Sequence, residues 1–243
     1  PPPGWRLENR AAVKPVAAAL LAGESVALEV AAGDAEWITS SGITFHEGAA
    51  KRIVLSDRLD VPADSVVLRP PVLALGVGTA RDADPAELIN LARETLAQAG
   101  LAEGAVACIA SIDLKADEPA VLALAEELGV PARFFTAAEL ERETPRLANP
   151  SDVVFAEVGC HGVSEGAALA AAGADGILIA GKRKTTNATC AIARAPQGIT
   201  ATEVGRARGS LAIVGIGPGN AGWRTPEVSR LLALSTDVVG YGL

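Results

Sequence analysis

Short apolar runs alternate with amphipathic segments from residue 72 onward, and this alternation restricts the fold more than any other feature of the sequence. Short apolar runs are typical of buried strands, whereas apolar residues at helical spacing indicate helices. Strands that alternate with helices predict a mostly parallel sheet covered on both faces, which is a three-layer α/β/α domain. The predicted elements are strand 72–77, helix 85–99, strand 105–110, helix 119–128, strand 132–135, a short helix opened by Thr136, strand 152–158, helix 164–172, strand 176–180 and an antiparallel strand 188–193.

The first of these strands is followed by a glycine turn and a helix start. Gly76 and Gly78 let the backbone turn sharply. Asp84 is predicted as the N-cap, Pro85 as the first helical residue and Glu87 as the reciprocal capping residue. The amides at a helix N-terminus attract a carboxylate or a phosphate, so this turn is a candidate anion site. A plain tight turn is the alternative.

The residues before this domain predict a small α/β unit. Its predicted elements are helix 9–21, strand 25–30, a returning strand 37–39, strand 53–55 and strand 66–68. Pro70 and Pro71 indicate a boundary. The predicted domains are therefore 1–70 and 71–200.

Composition excludes several classes of partner. The net charge of −8 disfavours nucleic acid. No apolar run approaches the ~20 residues that span a bilayer, and no signal peptide is visible. The cysteines Cys108, Cys160 and Cys190 are scattered, which predicts buried thiols in a reducing, cytoplasmic compartment.

The end of the chain, residues 209–243, begins a second strand, glycine loop and helix pattern. A strand precedes Gly215, Gly217, Pro218 and Gly219, a helix is predicted over 225–234, and a strand over 237–239. Ordinary NAD binding is disfavoured because Asn220 stands where a dinucleotide fingerprint has its last glycine. The segment either docks on the preceding domain or begins another one. The absence of Met adds the expectation that the chain is a piece of a longer protein.

The candidate site lies at the carboxyl edge of the predicted sheet, because ligands of open α/β sheets bind there. Loops 76–84, 111–117 and 159–165 meet this rule, and the basic stretch 182–187 follows another strand. Cations and helix N-termini at one edge predict an anionic, polycarboxylate ligand. The residues gathered there are Gly76, Gly78, Arg81, Ser111, Asp113, Lys115, Cys160, His161, Glu165, Lys182 and Arg183.

Plainer interpretations remain open for these residues. Arg81 could pair locally with Asp82, and Lys115 with Asp117 or Glu118. Neighbouring side chains such as Cys160 and His161 diverge, so no metal site is predicted. With two histidines in the chain, a histidine-based catalytic triad is disfavoured.

Four ordered motifs resemble the C-terminal domain of CbiG-type proteins of cobalamin biosynthesis, which cobalt-precorrin-5A hydrolases and the stand-alone CobE proteins carry. These motifs are residues 75–78 with the helix start that follows, 111–118, 162–169, and Lys182 followed by 189–194. The resemblance covers about 71–198. Residues 4–70 resemble the family's middle domain. Residues 210–243 resemble the beginning of a precorrin-3B C-17 methyltransferase.

The resemblance implies a reaction and its residues. A cobalt-precorrin δ-lactone would be opened with loss of acetaldehyde, which needs an activated water and a stabilised oxyanion. Glu165 is the candidate base and Lys115 or a helix N-terminus the oxyanion partner. In the first loop only Arg81 carries over, because residues 79–82 lack the family's cysteine.

The methyltransferase resemblance implies a cofactor only for a complete methylase domain. Gly215, Gly217, Pro218 and Gly219 would then help to hold S-adenosylmethionine, and residues 1–200 are expected to need no cofactor. Three functions stay open for the chain: an enzyme of corrin synthesis, a carrier of corrin intermediates, and a generic nucleotide-binding domain. The expected partner is an anionic tetrapyrrole, and a homo-oligomer is left open.

Overall fold

Two mixed sheets organise the unit Pro1–Arg208 of this computed structural model, which describes residues 1–216, 221–235 and 237–240. The first sheet has the order β1-β4-β3-β2, in which β2, β3 and β4 are parallel and β1 is antiparallel to β4. Helix α1 buries Ala12, Val16 and Ala19 against it. The elements are β1 Arg6–Glu8, α1 Arg10–Leu21, β2 Val26–Val30, α2 Glu36–Thr39, β3 Lys51–Leu55 and β4 Val66–Arg69.

The predicted strand at 37–39 is wrong, because these residues form the single helical turn α2. Asp34 Oδ1 accepts a hydrogen bond from Glu36 N at 2.8 Å and so starts the turn. A hydroxyl or carboxylate that accepts from the amide two or three residues on favours a helix start over an extended chain.

The second sheet has the order β7-β6-β5-β9-β8. Strands β5, β6 and β7 are parallel neighbours, and β9 lies antiparallel between β5 and β8. Strand β8 therefore runs in the same direction as β5. The predicted antiparallel pairing of 188–193 with the strand before it is confirmed. The elements are β5 Leu73–Thr79, α3 Pro85–Gln98, β6 Val106–Ile112, α4 Pro119–Leu128, β7 Ala132–Phe135, α5 Ala137–Glu141, α6 Asp152–Val158, α7 Val163–Ala172, β8 Ile177–Lys184 and β9 Ala188–Arg194.

Helices cover both faces of the second sheet, which confirms the mostly parallel, three-layer α/β/α arrangement. On one face, Leu88 of α3 and Leu124 of α4 belong to the core that also contains Leu75 of β5. On the other face, Leu140 of α5 and Ala168 of α7 belong to a second core. The small residues of α7 let it lie close to the sheet.

The predicted strand at 152–158 is wrong, because this run forms helix α6. Ser151 caps the helix by accepting from Val154 N, and Gly159 ends it with a φ of 79°. Val153 and Phe155 stay 70% and 44% exposed, so the apolar run is not buried as a central strand would be. The caps at each end decide in favour of the helix.

The predicted capping residues of α3 have separate roles. Asp84 is the N-cap, and its Oδ1 accepts from Ala86 N at 2.9 Å. Glu87 instead accepts from the backbone and side-chain nitrogens of Asn187, at 2.9 and 3.1 Å. This corrects the predicted reciprocal cap. Glu87 ties the β8–β9 turn to α3.

Contacts join the segments on either side of residue 70. Arg6 Nη2 donates to Leu128 O at 2.7 Å. Arg194 Nε lies 2.9 Å from Asp57 Oδ2. Residues 1–208 form a single contact unit, and the division at residue 70 stays a prediction.

The unit Gly209–Leu243 contains helix α8 Pro226–Leu234, as predicted, with Thr225 as its N-cap. The predicted strands at its two ends are wrong for the described residues, since 211–216 and 237–240 form no strand. A strand forms only with a hydrogen-bonded neighbour, which neither segment has in the described part of the chain. Gly215 is exposed, whereas Gly217, Pro218 and Gly219 lie outside the described residues.

Across the described ranges, the helices are too short or too polar to cross a bilayer.

Candidate functional site

The carboxyl ends of β5, β6 and β8 lie at one edge of the second sheet. Thr79 pairs with the first residue of β9, and Lys184 at the end of β8 pairs with the second. Ala80 N donates to Asn187 O at 2.8 Å, which joins the loop after β5 to the β8–β9 turn. The structure therefore brings the loops 76–84, 111–117 and 182–187 to one edge.

Two of the predicted cations meet around a buried carboxylate. Arg81 Nη1 lies 3.0 Å from Asp117 Oδ1 and 3.5 Å from Glu118 Oε2, and Lys115 Nζ lies 3.4 Å from the same Glu118 oxygen. The hydrogen bond with Asp117, and the charge of Asp117, raise the pKa of Arg81. The partner of Arg81 is thus Asp117 and not the adjacent Asp82. The cations here are partly neutralised.

Glu118 completes this cluster, and the sequence offered it only as a possible ion-pair partner of Lys115. It is fully buried, and its Oε1 has no hydrogen-bond partner among the described residues. Asp113, in contrast, is exposed on the turn that follows β6. The position of Glu118 before Pro119 at the start of α4 was visible in the sequence, but its burial was not.

Three predicted binding residues hold the backbone of this edge. Ser111 is fully buried and donates from Oγ to Val77 O at 2.8 Å. A Cβ on Gly76 would lie 1.8 Å from Ser164 O, so α7 presses directly on β5 there. Gly78 O accepts from Thr189 Oγ1 at 3.2 Å. These contacts indicate that the three residues position the backbone of this edge rather than bind a ligand directly.

Glu165, the predicted base, is buried and binds backbone and side-chain donors. Oε2 accepts from Ala148 N at 2.8 Å and Asn149 N at 2.9 Å, and Oε1 accepts from Asn149 Nδ2 and Lys182 N, both at 2.7 Å. Burial raises the pKa of Glu165, but the hydrogen bonds lower it further, so that the pKa lies below its usual value. Such a carboxylate is a weak proton acceptor. The geometry favours a role in joining segment 148–149 to β8.

The end of β8 supplies further cations to this edge. Lys182 Nζ donates to Asn149 O at 3.3 Å. Arg183 and Lys184 make no ion pair with any acid in the part of the chain that the structure describes. Their positive charge therefore remains available to an anion at the same edge as β5.

The loop 159–165 holds a histidine that pairs with an acid on α5. His161 Nδ1 lies 2.9 Å from Glu141 Oε1, and its ring stacks on Phe155 with a centroid distance of 4.5 Å. The hydrogen bond from His161 lowers the pKa of Glu141. No pattern in the sequence indicated that His161 and Glu141 would pair. Within 1–216, 221–235 and 237–240, no group of three or more His, Cys, Asp or Glu could hold a metal ion.

The thiols of Cys108, Cys160 and Cys190 are buried and unpaired. Burial raises the pKa of Cys108 and of Cys190 to about 12 and also raises that of Cys160. We expect a thiol reagent such as 5,5′-dithiobis(2-nitrobenzoate) at pH 8 to label none of them in the native chain and all of them in guanidinium chloride, because only the thiolate reacts. Rapid stoichiometric labelling of the native chain would contradict this burial.

The family described as "Cobalamin synthesis G C-terminus" matches residues 73–193. Protein CobE of Sinorhizobium sp is 51% identical over 121 residues, which cover 50% of this chain and 79% of that protein. Cobalt-precorrin-5A hydrolase of Priestia megaterium is 29% identical over 212 residues, which cover 79% of this chain and 56% of the hydrolase. Cobalamin biosynthesis protein CobIJ of Mycobacterium bovis is 52% identical over 33 residues, 14% of this chain and 6% of that protein.

The match with CobE covers 79% of that protein at 51% identity, and this extent shows the family. The match with the hydrolase spans little more than half of that enzyme. The matched residues include all of the second sheet except the last residue of β9. The carboxyl edge described above, with Arg81, Lys115, Glu118 and the first turn of α7, lies entirely within them. The chain belongs to the CbiG/CobE family of cobalamin biosynthesis proteins.

Proposed function

We propose that this chain binds an anionic tetrapyrrole intermediate of cobalamin biosynthesis at the carboxyl edge of its second sheet. The observation that carries the proposal is the position of Lys182, Arg183 and Lys184 at the end of β8, which β9 alone separates from the end of β5. A ring with acetate and propionate groups offers several carboxylates to such an edge. Arg81 and Lys115 would bind further carboxylates by exchanging their present acidic partners for the ligand.

Hydrolysis of a cobalt-precorrin lactone is the second candidate. It is supported by the 29% identity with the Priestia megaterium hydrolase over 79% of this chain. In this candidate Lys115 stabilises the developing oxyanion and Glu165 acts as base. The hydrogen bonds that occupy both oxygens of Glu165 make binding the better supported function.

The binding proposal predicts that Arg81→Ala and Lys115→Ala each weaken binding of cobyrinic acid, a corrin heptacarboxylate, about five- to tenfold at low salt, because each removes one carboxylate partner. Absorption titration of the corrin measures the affinity. Lys14→Ala, an exposed lysine of α1, is the matched control and should leave it unchanged. The heptamethyl ester of the same corrin should bind poorly. Unchanged affinity in both variants would remove these cations from the site.

Measuring the release of acetaldehyde distinguishes a carrier from a hydrolase. Binding of cobalt-precorrin-5A without release of acetaldehyde favours a carrier, whereas release favours the hydrolase. Tight binding of ATP or NAD with no affinity for tetrapyrroles would select the generic nucleotide-binding function instead.

We further propose that residues 210–243 begin a precorrin-3B C-17 methyltransferase that uses S-adenosylmethionine when complete. The pattern of Gly215, Gly217, Pro218 and Gly219 after an apolar run supports this. The described residues of this segment form one α-helix and a short 3-10 turn, so a cofactor pocket is not expected from this chain alone. Micromolar binding of S-adenosylmethionine in a calorimeter would overturn that expectation.

A further inference from the structure

The first turn of α7 carries hydrogen-bond donors that no group in the described part of the protein uses. The helix has ten residues, and its N-cap, Gly162, has no side chain that could accept from them. In the described ranges, no acceptor contacts the amides of Val163, Ser164 or Glu165. Such amides, together with the helix dipole, favour an anion.

A buried hydroxyl lies in the same turn. The Ser164 side chain belongs to the second residue of the helix and is 2% exposed. Its Oγ has no hydrogen-bond partner among the residues that the structure describes. Buried hydroxyls are nearly always hydrogen-bonded, so an unpartnered one beside free amides indicates a missing acceptor.

This turn lies at the carboxyl end of β5, within the edge already described. Ser164 O approaches Gly76 so closely that a Cβ would lie 1.8 Å from it, and Val163 contacts the position of a Cβ on Gly78 at 3.5 Å. Thr189, whose hydroxyl donates to Gly78 O, pairs across the sheet with Lys184. The donors therefore lie at the same edge as the end of β8, where Lys184 has no ion-pair partner among the described residues.

We propose that the first turn of α7 binds a carboxylate, with Ser164 Oγ and the amides of Val163, Ser164 and Glu165 as donors. The identity of the natural ligand rests on the proposed function, in which this carboxylate is an acetate or propionate arm of the tetrapyrrole. A carboxylate fits better than a phosphate dianion because the ionised side chain of Glu165 belongs to the same turn and repels a second negative charge.

Citrate serves as the probe, and ¹⁵N chemical shifts of the full chain as the measurement. We expect saturable shifts of the Val163, Ser164 and Glu165 amides with citrate, and at least a fivefold weaker response in Ser164→Ala. Thermal unfolding of Ser164→Ala should be unchanged or shifted upward, because the hydroxyl has no hydrogen bond to lose and alanine is the better helix former. A structural serine would instead lower the unfolding temperature.

Thr95→Val is the matched control, since Thr95 also has a buried hydroxyl but donates it to Leu91 O at 2.6 Å in α3. This variant should unfold at a slightly lower temperature and bind citrate like the wild type. Absence of amide shifts, an equal response in Ser164→Ala, or tighter binding of inorganic phosphate than of citrate would each overturn the proposal.

The same variant separates this proposal from the proposed function. Equal binding of cobyrinic acid by wild type and Ser164→Ala, with no amide shifts in α7, would contradict the carboxylate site. The proposed binding of a tetrapyrrole would still stand. Citrate shifts without any affinity for cobyrinic acid would support the carboxylate site and remove the tetrapyrrole as its ligand.

Discussion

Glu165→Ala is expected to lower the free energy of unfolding by about 4 kcal/mol, because four hydrogen bonds to a buried carboxylate lose their acceptor together. The segment 148–149 and the backbone of Lys182 would lose the group that joins them. Urea denaturation followed by circular dichroism measures the loss. Glu126→Ala, which removes an exposed carboxylate from α4, should change the same free energy by less than about 0.5 kcal/mol.

The stabilisation that the Glu165 carboxylate provides is expected to decrease at low pH. The folded-state pKa of Glu165 lies below its usual value, so its stabilisation is present above the unfolded-state pKa of about 4.3 and is lost as the pH falls through the folded-state pKa. The difference in stability between wild type and Glu165→Gln should therefore be full at pH 7 and shrink below about pH 4. A difference that stays constant down to pH 3 would show that Glu165 is not held as a carboxylate.

Gly76→Ala is expected to lower the free energy of unfolding by about 3 kcal/mol. The added Cβ would lie 1.8 Å from Ser164 O and 2.6 Å from Ala168 N. These are backbone atoms of α7, so no side-chain rotation relieves the contact and the helix has to move away from the sheet. The same denaturation experiment measures the effect.

Gly209→Ala is the control for this substitution, because nothing lies within 4 Å of a Cβ built there and its φ is not positive. It should change stability by less than about 0.5 kcal/mol. Gly76→Ala should also weaken citrate binding at α7, since the first turn of the helix moves with it. Wild-type stability in Gly76→Ala would contradict the close contact between α7 and β5.

Capping residues in the sequence predicted the helices whose ends they mark. Asp84 and Pro85 start α3, and Gly129, with a φ of 61°, ends α4. The helix α6 was missed although Ser151 and Gly159 mark its ends, because Val153 and Phe155 looked like a buried strand. An apolar run alone does not distinguish a strand from a partly exposed helix.

The sequence predicted that the polar loops gather at one edge of the sheet, whereas it did not predict the partners of their side chains. The rule that ligands bind at the carboxyl edge, applied to the loops that follow predicted strands, places Arg81, Lys115 and the basic stretch 182–187 at one edge without any strand order. The burial of each side chain and its hydrogen-bond partners, which only the structure shows, then distinguish their roles. Glu165 is occupied by four hydrogen bonds, while Glu118 and Ser164, which lie in the motifs but were not predicted as site residues, are buried with unpartnered oxygens among the described residues.

The sequence by itself determined the alternation of strands and helices, the three-layer fold and the edge at which polar loops gather, because periodicity and capping act within a few residues of the chain. Only the tertiary structure decided that β9 lies between β5 and β8, that Arg81 pairs with Asp117, and which buried oxygens lack a partner. These features depend on contacts between residues far apart in the chain, and no local pattern records which distant donor meets which acceptor.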